Sequence, residues 1–215
     1  MTKPNSPAKD RRHELVLIAF HHIAHRGFEG LRIHDVAGEA GINNATLHYY
    51  FPTKEDLVKG VVDYMVAQFS ASFFSAGMAE GHPGAWEVIL ADLEDARQRP
   101  RQDPEQLIVY TELLLRSIHD PSIATVFEEL DKSWRGFLAG VIERGIREGV
   151  FRKDLDPRAT ATLLMIQIKG MGLQAFAETN REIGDDVFDQ LIRQTGSWLD
   201  VSDGRPSPDS PGKGD

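Results

Sequence analysis

The chain has no cysteine among its 215 residues. That excludes a disulfide framework, a thiolate nucleophile and every zinc site built on Cys. It also fits a reducing, cytoplasmic setting. No long apolar run is present. The least polar stretch, 159–177, is broken by Gln167, Lys169 and Gln174, so a buried helix is expected there and no membrane span. The opening MTKPNSPAKDRRHE holds no apolar signal core. There is no strand-like alternation and no internal repeat. An HExxH spacing, a Gly-rich phosphate loop and a nucleophile–base pattern are also missing, so no enzyme, no cofactor and no metal site is expected.

What is present is charge, unevenly placed. The formal net charge is −9, yet residues 1–60 hold 8 Lys+Arg against 7 Asp+Glu, and the rest hold 16 against 26. A near-neutral head on an acidic body can hold phosphates locally while the body discourages non-specific sticking. Asp103-Pro104, Asp120-Pro121 and Asp156-Pro157 each put an N-cap before a Pro at the first helical position. Thr53 with Asp56 forms a near capping box. These signals predict an all-α chain of about nine helices, at roughly 10–26, 33–40, 44–50, 54–76, 84–98, 104–118, 122–148, 157–179 and 185–199. Residues 1–8 and 202–215 are expected to be disordered tails.

The segment 31–51, LRIHDVAGEAGINNATLHYYF, is the most specific in the chain. Val36, Ala37 and Ala40 make an apolar stripe at helical spacing. Gly41 follows where a left-handed residue ends a helix, and Asn43 is suited to cap the next one. Leu47 can face inward while Asn44, Ala45, Thr46, His48 and Tyr49 stay outside, and Pro52 ends the run. Helix, Gly-containing turn, helix is the plan of the DNA-binding helix-turn-helix.

The same residues carry a family likeness. Gly27-Phe28, Asp35-Val36-Ala37, Ala40-Gly41-Ile42, Thr46-Leu47 and Tyr50-Phe51-Pro52-Thr53-Lys54-Glu55 resemble the N-terminal domain of the TetR family of transcriptional regulators. The chain departs from the pattern at His48, where the family usually has a phosphate-contacting Tyr, and at Arg32, where it usually has a Thr. Both replacements can still hydrogen-bond a phosphate. The likeness implies a three-helix DNA-binding head at 9–68 and an effector-binding and dimerisation body at 69–201. Asn44, Ala45 and Tyr49 would meet base edges. Arg32, Asn43, Thr46, His48 and Lys54 would hold the backbone.

The body carries Phe69, Phe73, Trp86, Tyr110, Leu114, Trp134 and Phe137, candidates for an effector pocket as well as for plain core. Helix 157–179 is apolar nearly all round, so one face needs a partner. The likeness implies a dimer through the last two helices, with Leu164, Ile168, Met171, Phe188, Leu191 and Ile192 at the seam. Six of eight histidines fall in the first 48 residues. His21 and His25 are four apart, a possible ligand pair, but no carboxylate or Cys completes a metal site at a known spacing. His22 falls on an apolar face and is expected in the core. The expectation is therefore a homodimeric regulator, a repressor released from a palindromic double-stranded operator by a small-molecule effector. The alternatives are an activator or a protein-responsive regulator of the same fold, or a small helical metal-binding protein or enzyme using the His-rich N-terminus.

Overall fold

In a computed structural model, the structure describes residues 7–77, 83–174 and 185–201, with side chains for 10–69, 83–174 and 186–201. Among these residues every regular element is a helix, with no strand. The order is α1 (Pro7–Arg26), a 3-10 turn (Phe28–Gly30), α2 (Ile33–Glu39), α3 (Asn44–Tyr50), α4 (Lys54–Gly77), α5 (Ala85–Gln102), α6 (Pro104–Ser117), α7 (Pro121–Arg147), α8 (Pro157–Gln174) and α9 (Asp185–Leu199). No helix among the described residues is long and apolar enough to cross a membrane.

The starts of α4, α6, α7 and α8 have the expected chemistry. Asp103 accepts from the Gln106 N–H at 3.1 Å, Asp120 from Ser122 at 3.0 Å and Asp156 from Ala159 at 2.7 Å. At α4 the cap is reciprocal. Thr53 Oγ1 accepts from the Asp56 N–H, and Asp56 Oδ2 accepts from the Thr53 N–H, both at 3.1 Å. Such a cap contributes about 1 kcal/mol to its helix.

Two boundaries differ from expectation. α1 begins at Pro7, inside the expected 1–8 tail, because Pro suits a first helical turn whose N–H groups have no partner anyway. α5 was expected to stop at 98 but runs through Pro100 to Gln102. Pro100 lies in the last turn and removes only the bond to the Ala96 carbonyl, a cost the last turn tolerates. Residues 1–6, 175–179, the 202–215 tail and the side chain of Phe73 lie outside the described residues.

Leu15, Ala19 and Ile23 of α1 meet Val36 and Ala37 of α2, Leu47 of α3, Phe51 and Leu57 in a fully buried head core. α1 and α4 approach closely at Gly60, where a Cβ would stand 3.0 Å from Val16 and 3.1 Å from the Phe51 ring. α4 then continues from Val61 and Val62 to Met65 and Phe69, so one core runs from head to body. α7 packs along α8 and also against α4, α5 and α6.

Candidate DNA-reading face and ligand cavity

The turn between α2 and α3 is built by backbone hydrogen bonds. Gly41 takes φ 66°, and the Ile42 N–H reaches back to the Ala37 carbonyl at 2.9 Å, closing the helix end. Asn43 then caps α3, its Oδ1 accepting from the Thr46 N–H at 2.8 Å and the Thr46 hydroxyl at 3.1 Å. Asn43 can therefore reach a phosphate only through its amide nitrogen. Leu47 is fully buried and fixes the helix roll. That roll leaves Asn43, Asn44, Ala45, His48 and Tyr49 exposed, Tyr49 by 81%. Arg32 is exposed at the start of α2.

His48 and Lys54 are held from behind. His48 Nδ1 donates to the Pro52 carbonyl at 3.0 Å, which turns Nε2 away from it. Neutral His48 thus offers an acceptor at Nε2; the protonated ring offers a donor. Lys54 Nζ lies 5.0 Å from the centroid of Phe28, and Arg116 of α6 lies over the same ring at 4.9 Å. Arg11 donates to the Ala40 carbonyl at 3.3 Å and helps hold the end of α2. His22 is 4% exposed and shares a hydrogen bond with Glu39 Oε2 at 2.9 Å, a core position joining α1 to α2.

The body holds a cavity of about 240 Å³ between α4, α5, α6, α7 and α8. Phe69, Tyr110, Leu114 and Trp134 line it, with Leu107, Leu130, Ile168 and Leu173. Two expected pocket residues do not. Trp86 packs on α9, its ring 3.5 Å from the position of a Gly196 Cβ, and Phe137 is part of the surrounding core. Trp86 sits on a different face of α5 from the cavity residues, whereas Phe137 shares the face of Leu130 and Trp134 but lies a turn further along α7, beyond the cavity. The charges in the wall were not anticipated: Asp92, Asp95, Arg99, Asp131 and Lys169. Arg99 pairs with Asp95, and Lys169 with both oxygens of Asp131 at 2.6 Å.

Asp92 has no such cation of its own. It is 8% exposed and accepts a 3.2 Å hydrogen bond from Trp134 Nε1. Burial pushes its carboxyl up to about 6, opposed by the Trp134 hydrogen bond, with Asp95 raising it and Arg99 lowering it. The Tyr110 hydroxyl is buried without a partner, and burial followed by the charge of Asp131 pushes it well above the usual phenol value. One signal for Asp92 was present in the chain. It falls on the stripe of Val88, Ile89 and Ala96, an acid on a buried helix face.

α6 faces both regions. Leu107, Tyr110, Thr111 and Leu114 look into the cavity. Glu112 accepts from the Phe28 N–H at 3.0 Å, and Arg116 covers the Phe28 ring.

Two members of the expected dimer seam need correction. Leu164 is 1% exposed and Phe188 8%, both buried within the subunit, and Arg97 covers the Phe188 ring. Ile168 lines the cavity, Leu191 and Ile192 pack on the subunit core, and Met171 is half-buried. The exposed apolar side chains of these two helices are Leu163 and Ile166 of α8 and Val187 of α9, 40–59% exposed, with Leu173 at the rim of the cavity. A helix apolar all round gives no sign of which face its own subunit covers.

Comparison with known proteins adds three kinds of likeness. Residues 18–61 match the family model of bacterial regulatory proteins of the tetR family, and residues 86–195 match that of the BetI-type transcriptional repressor C-terminal domain. The HTH-type transcriptional repressor KstR2 of Mycobacterium tuberculosis is 27% identical over 161 residues, 73% of this chain and 76% of the relative. The HTH-type transcriptional regulator LuxR of Vibrio harveyi is 43% identical over 65 residues, 30% of this chain and 31% of its own. Among solved structures, a transcriptional regulator from Saccharomonospora viridis in complex with choline superposes with a TM-score of 0.76 at 27% identity, over 87% of this chain and 96% of that one.

Proposed function

Because the chain belongs to the TetR family of transcriptional regulators and is a ligand-responsive DNA-binding repressor, we propose that its α3 face reads a palindromic operator as one half of a homodimer. In this proposal Asn44, Ala45 and Tyr49 meet base edges in the major groove, while Arg32, Asn43, Thr46, His48 and Lys54 hold the phosphate backbone. Two heads on a two-fold axis would enter grooves about 34–36 Å apart. The exposed apolar residues Leu163 and Ile166 of α8 and Val187 of α9 would lie at the seam. A work site on chromosomal DNA makes the setting cytoplasmic.

The observation that carries the regulatory half is the double role of α6. A ligand entering the cavity presses on Tyr110 and Leu114, and the same helix holds the head through Glu112 and Arg116. Moving α6 therefore moves the 3-10 turn and, through Phe28, Lys54. Ligand and operator then weaken each other by the same factor. The cavity suits a small, largely apolar molecule with one cationic or hydrogen-bond-donating end at Asp92. The choline complex of the Saccharomonospora viridis relative supports such an end.

Selection of duplexes from a random pool, repeated with amine and ammonium compounds, tests this. Enrichment of an inverted repeat, lost when such a compound is added, is the expected result. A pool that yields no repeat, or a repeat no such compound disturbs, goes against the operator or the ligand class respectively.

A further inference from the structure

We infer that His21, His25 and Glu105 form a site for a divalent transition-metal ion of the Zn²⁺ class, joining α1 of the head to α6 of the body. The two imidazoles stand one turn apart on α1 with rings stacked, centroids 6.5 Å apart and planes inclined by 19°. Glu105 arrives from the first turn of α6. Its Oε2 lies 2.6 Å from His21 Nδ1 and its Oε1 3.2 Å from His25 Nε2. All three ligand atoms lie within 4.8 Å of one another.

A tetrahedral ion with N and O ligands about 2.0–2.2 Å away holds those ligands roughly 3.3–3.6 Å apart. Each observed separation reaches that range by a movement of about 1 Å or so, small for side chains of this length. The three side chains are 53%, 66% and 30% exposed, so they are free to make it. In the ion-free arrangement one carboxylate accepts from two imidazole N–H groups. In the bound arrangement each imidazole turns a ring lone pair to the ion and carries its proton on the other nitrogen, and the carboxylate completes the set. Neutral imidazoles need only this change of tautomer; a protonated one releases its proton.

The donor set chooses the ion. Two imidazoles and a carboxylate suit Zn²⁺, Ni²⁺ or Cu²⁺, whereas Mg²⁺ and Ca²⁺ prefer oxygen throughout. Three protein ligands leave a fourth position for water. The sequence shows the i, i+4 pair but not its third member, because Glu105 lies 84 residues from His21 and meets it only through the packing of α1 on α6. A bound ion would pin α6, a cavity wall, to the head. The site itself does not depend on the effector proposed above.

Equilibrium dialysis of the full-length, chelator-treated protein against Zn²⁺ and, separately, Mg²⁺ tests it. One Zn²⁺ per chain is expected at micromolar concentration, with no Mg²⁺ at the same level. His25→Ala and Glu105→Gln, both surface changes that leave the fold intact by circular dichroism, should each weaken Zn²⁺ at least ~10-fold. Zn²⁺ should raise the melting temperature of the wild type and not of either variant. Zn²⁺ held no more tightly than Mg²⁺, or held equally by His25→Ala, overturns the site and leaves a hydrogen-bonded His–Glu cluster.

Discussion

Asp92→Asn is expected to stabilise the protein while blunting its response to ligand. Asp92 is a buried acid in an apolar wall, with one neutral donor, Trp134, at 3.2 Å. Burial lifts its carboxyl from 3.8 to about 6, which corresponds to a native-state cost of roughly 3 kcal/mol once the group is ionised. The folded value lies above the unfolded one, so the native state keeps its proton longer. Stability from this group is fully present below about pH 4, falls as pH rises to about 6, and stays lost above that. Asn cannot ionise, yet its amide oxygen still accepts from Trp134. The variant should therefore exceed the wild type by up to ~3 kcal/mol at about pH 8, and by about half that at pH 5. Urea unfolding followed by tryptophan fluorescence, at equal chain concentration, reads the difference. A variant less stable at both pH values, or a gain that does not change with pH, would refute the reasoning. The same change should weaken release of operator by cationic ligands, because it removes their counter-charge.

Four further outcomes follow from the geometry. Lys54→Ala should weaken all DNA similarly and lower the salt slope of binding by about one, read by titration at several salt concentrations. His48→Tyr should strengthen operator binding in fluorescence anisotropy, because a neutral imidazole with its Nδ1–H committed to the Pro52 carbonyl has no donor left for phosphate whereas a phenol O–H does. Ile166→Asp places a carboxylate on the outward face of α8 without touching the subunit core, so light scattering should show a folded monomer, whereas Phe188→Asp should unfold the subunit. Glu112→Ala removes the acceptor for the Phe28 N–H and should leave ligand affinity intact while reducing the ligand's effect on operator binding.

The head was legible in the chain because its signals are local. Gly41 must take positive φ, Asn43 must cap, and Leu47 alone points inward, so α2, α3 and the exposed set between them follow from a dozen neighbouring residues. The Asp-Pro starts of α6, α7 and α8 were legible for the same reason. The cavity was half legible. Its aromatic wall of Phe69, Tyr110 and Trp134 stood out, but Asp131 and Lys169 look like solvated charges until the packing of α7 on α8 brings them together. Trp86 looks like a pocket aromatic until the roll of α5 turns it to α9, and Phe137 until the cavity is seen to end a turn before it. Leu164 and Leu163 are adjacent in an apolar helix, and only the fold decides that the first is buried and the second exposed. Glu105 is the extreme case: nothing near His21 in the chain announces it.

Sedimentation of the full-length protein, alone and with a duplex carrying the selected inverted repeat, tests the central claim most directly. The account predicts a dimer of 24.0 kDa chains in the absence of DNA, one dimer per duplex, and loss of both dimer and binding in Ile166→Asp. A stable monomer that still binds the repeat with full affinity would contradict the paired heads and the ligand-controlled spacing built on them.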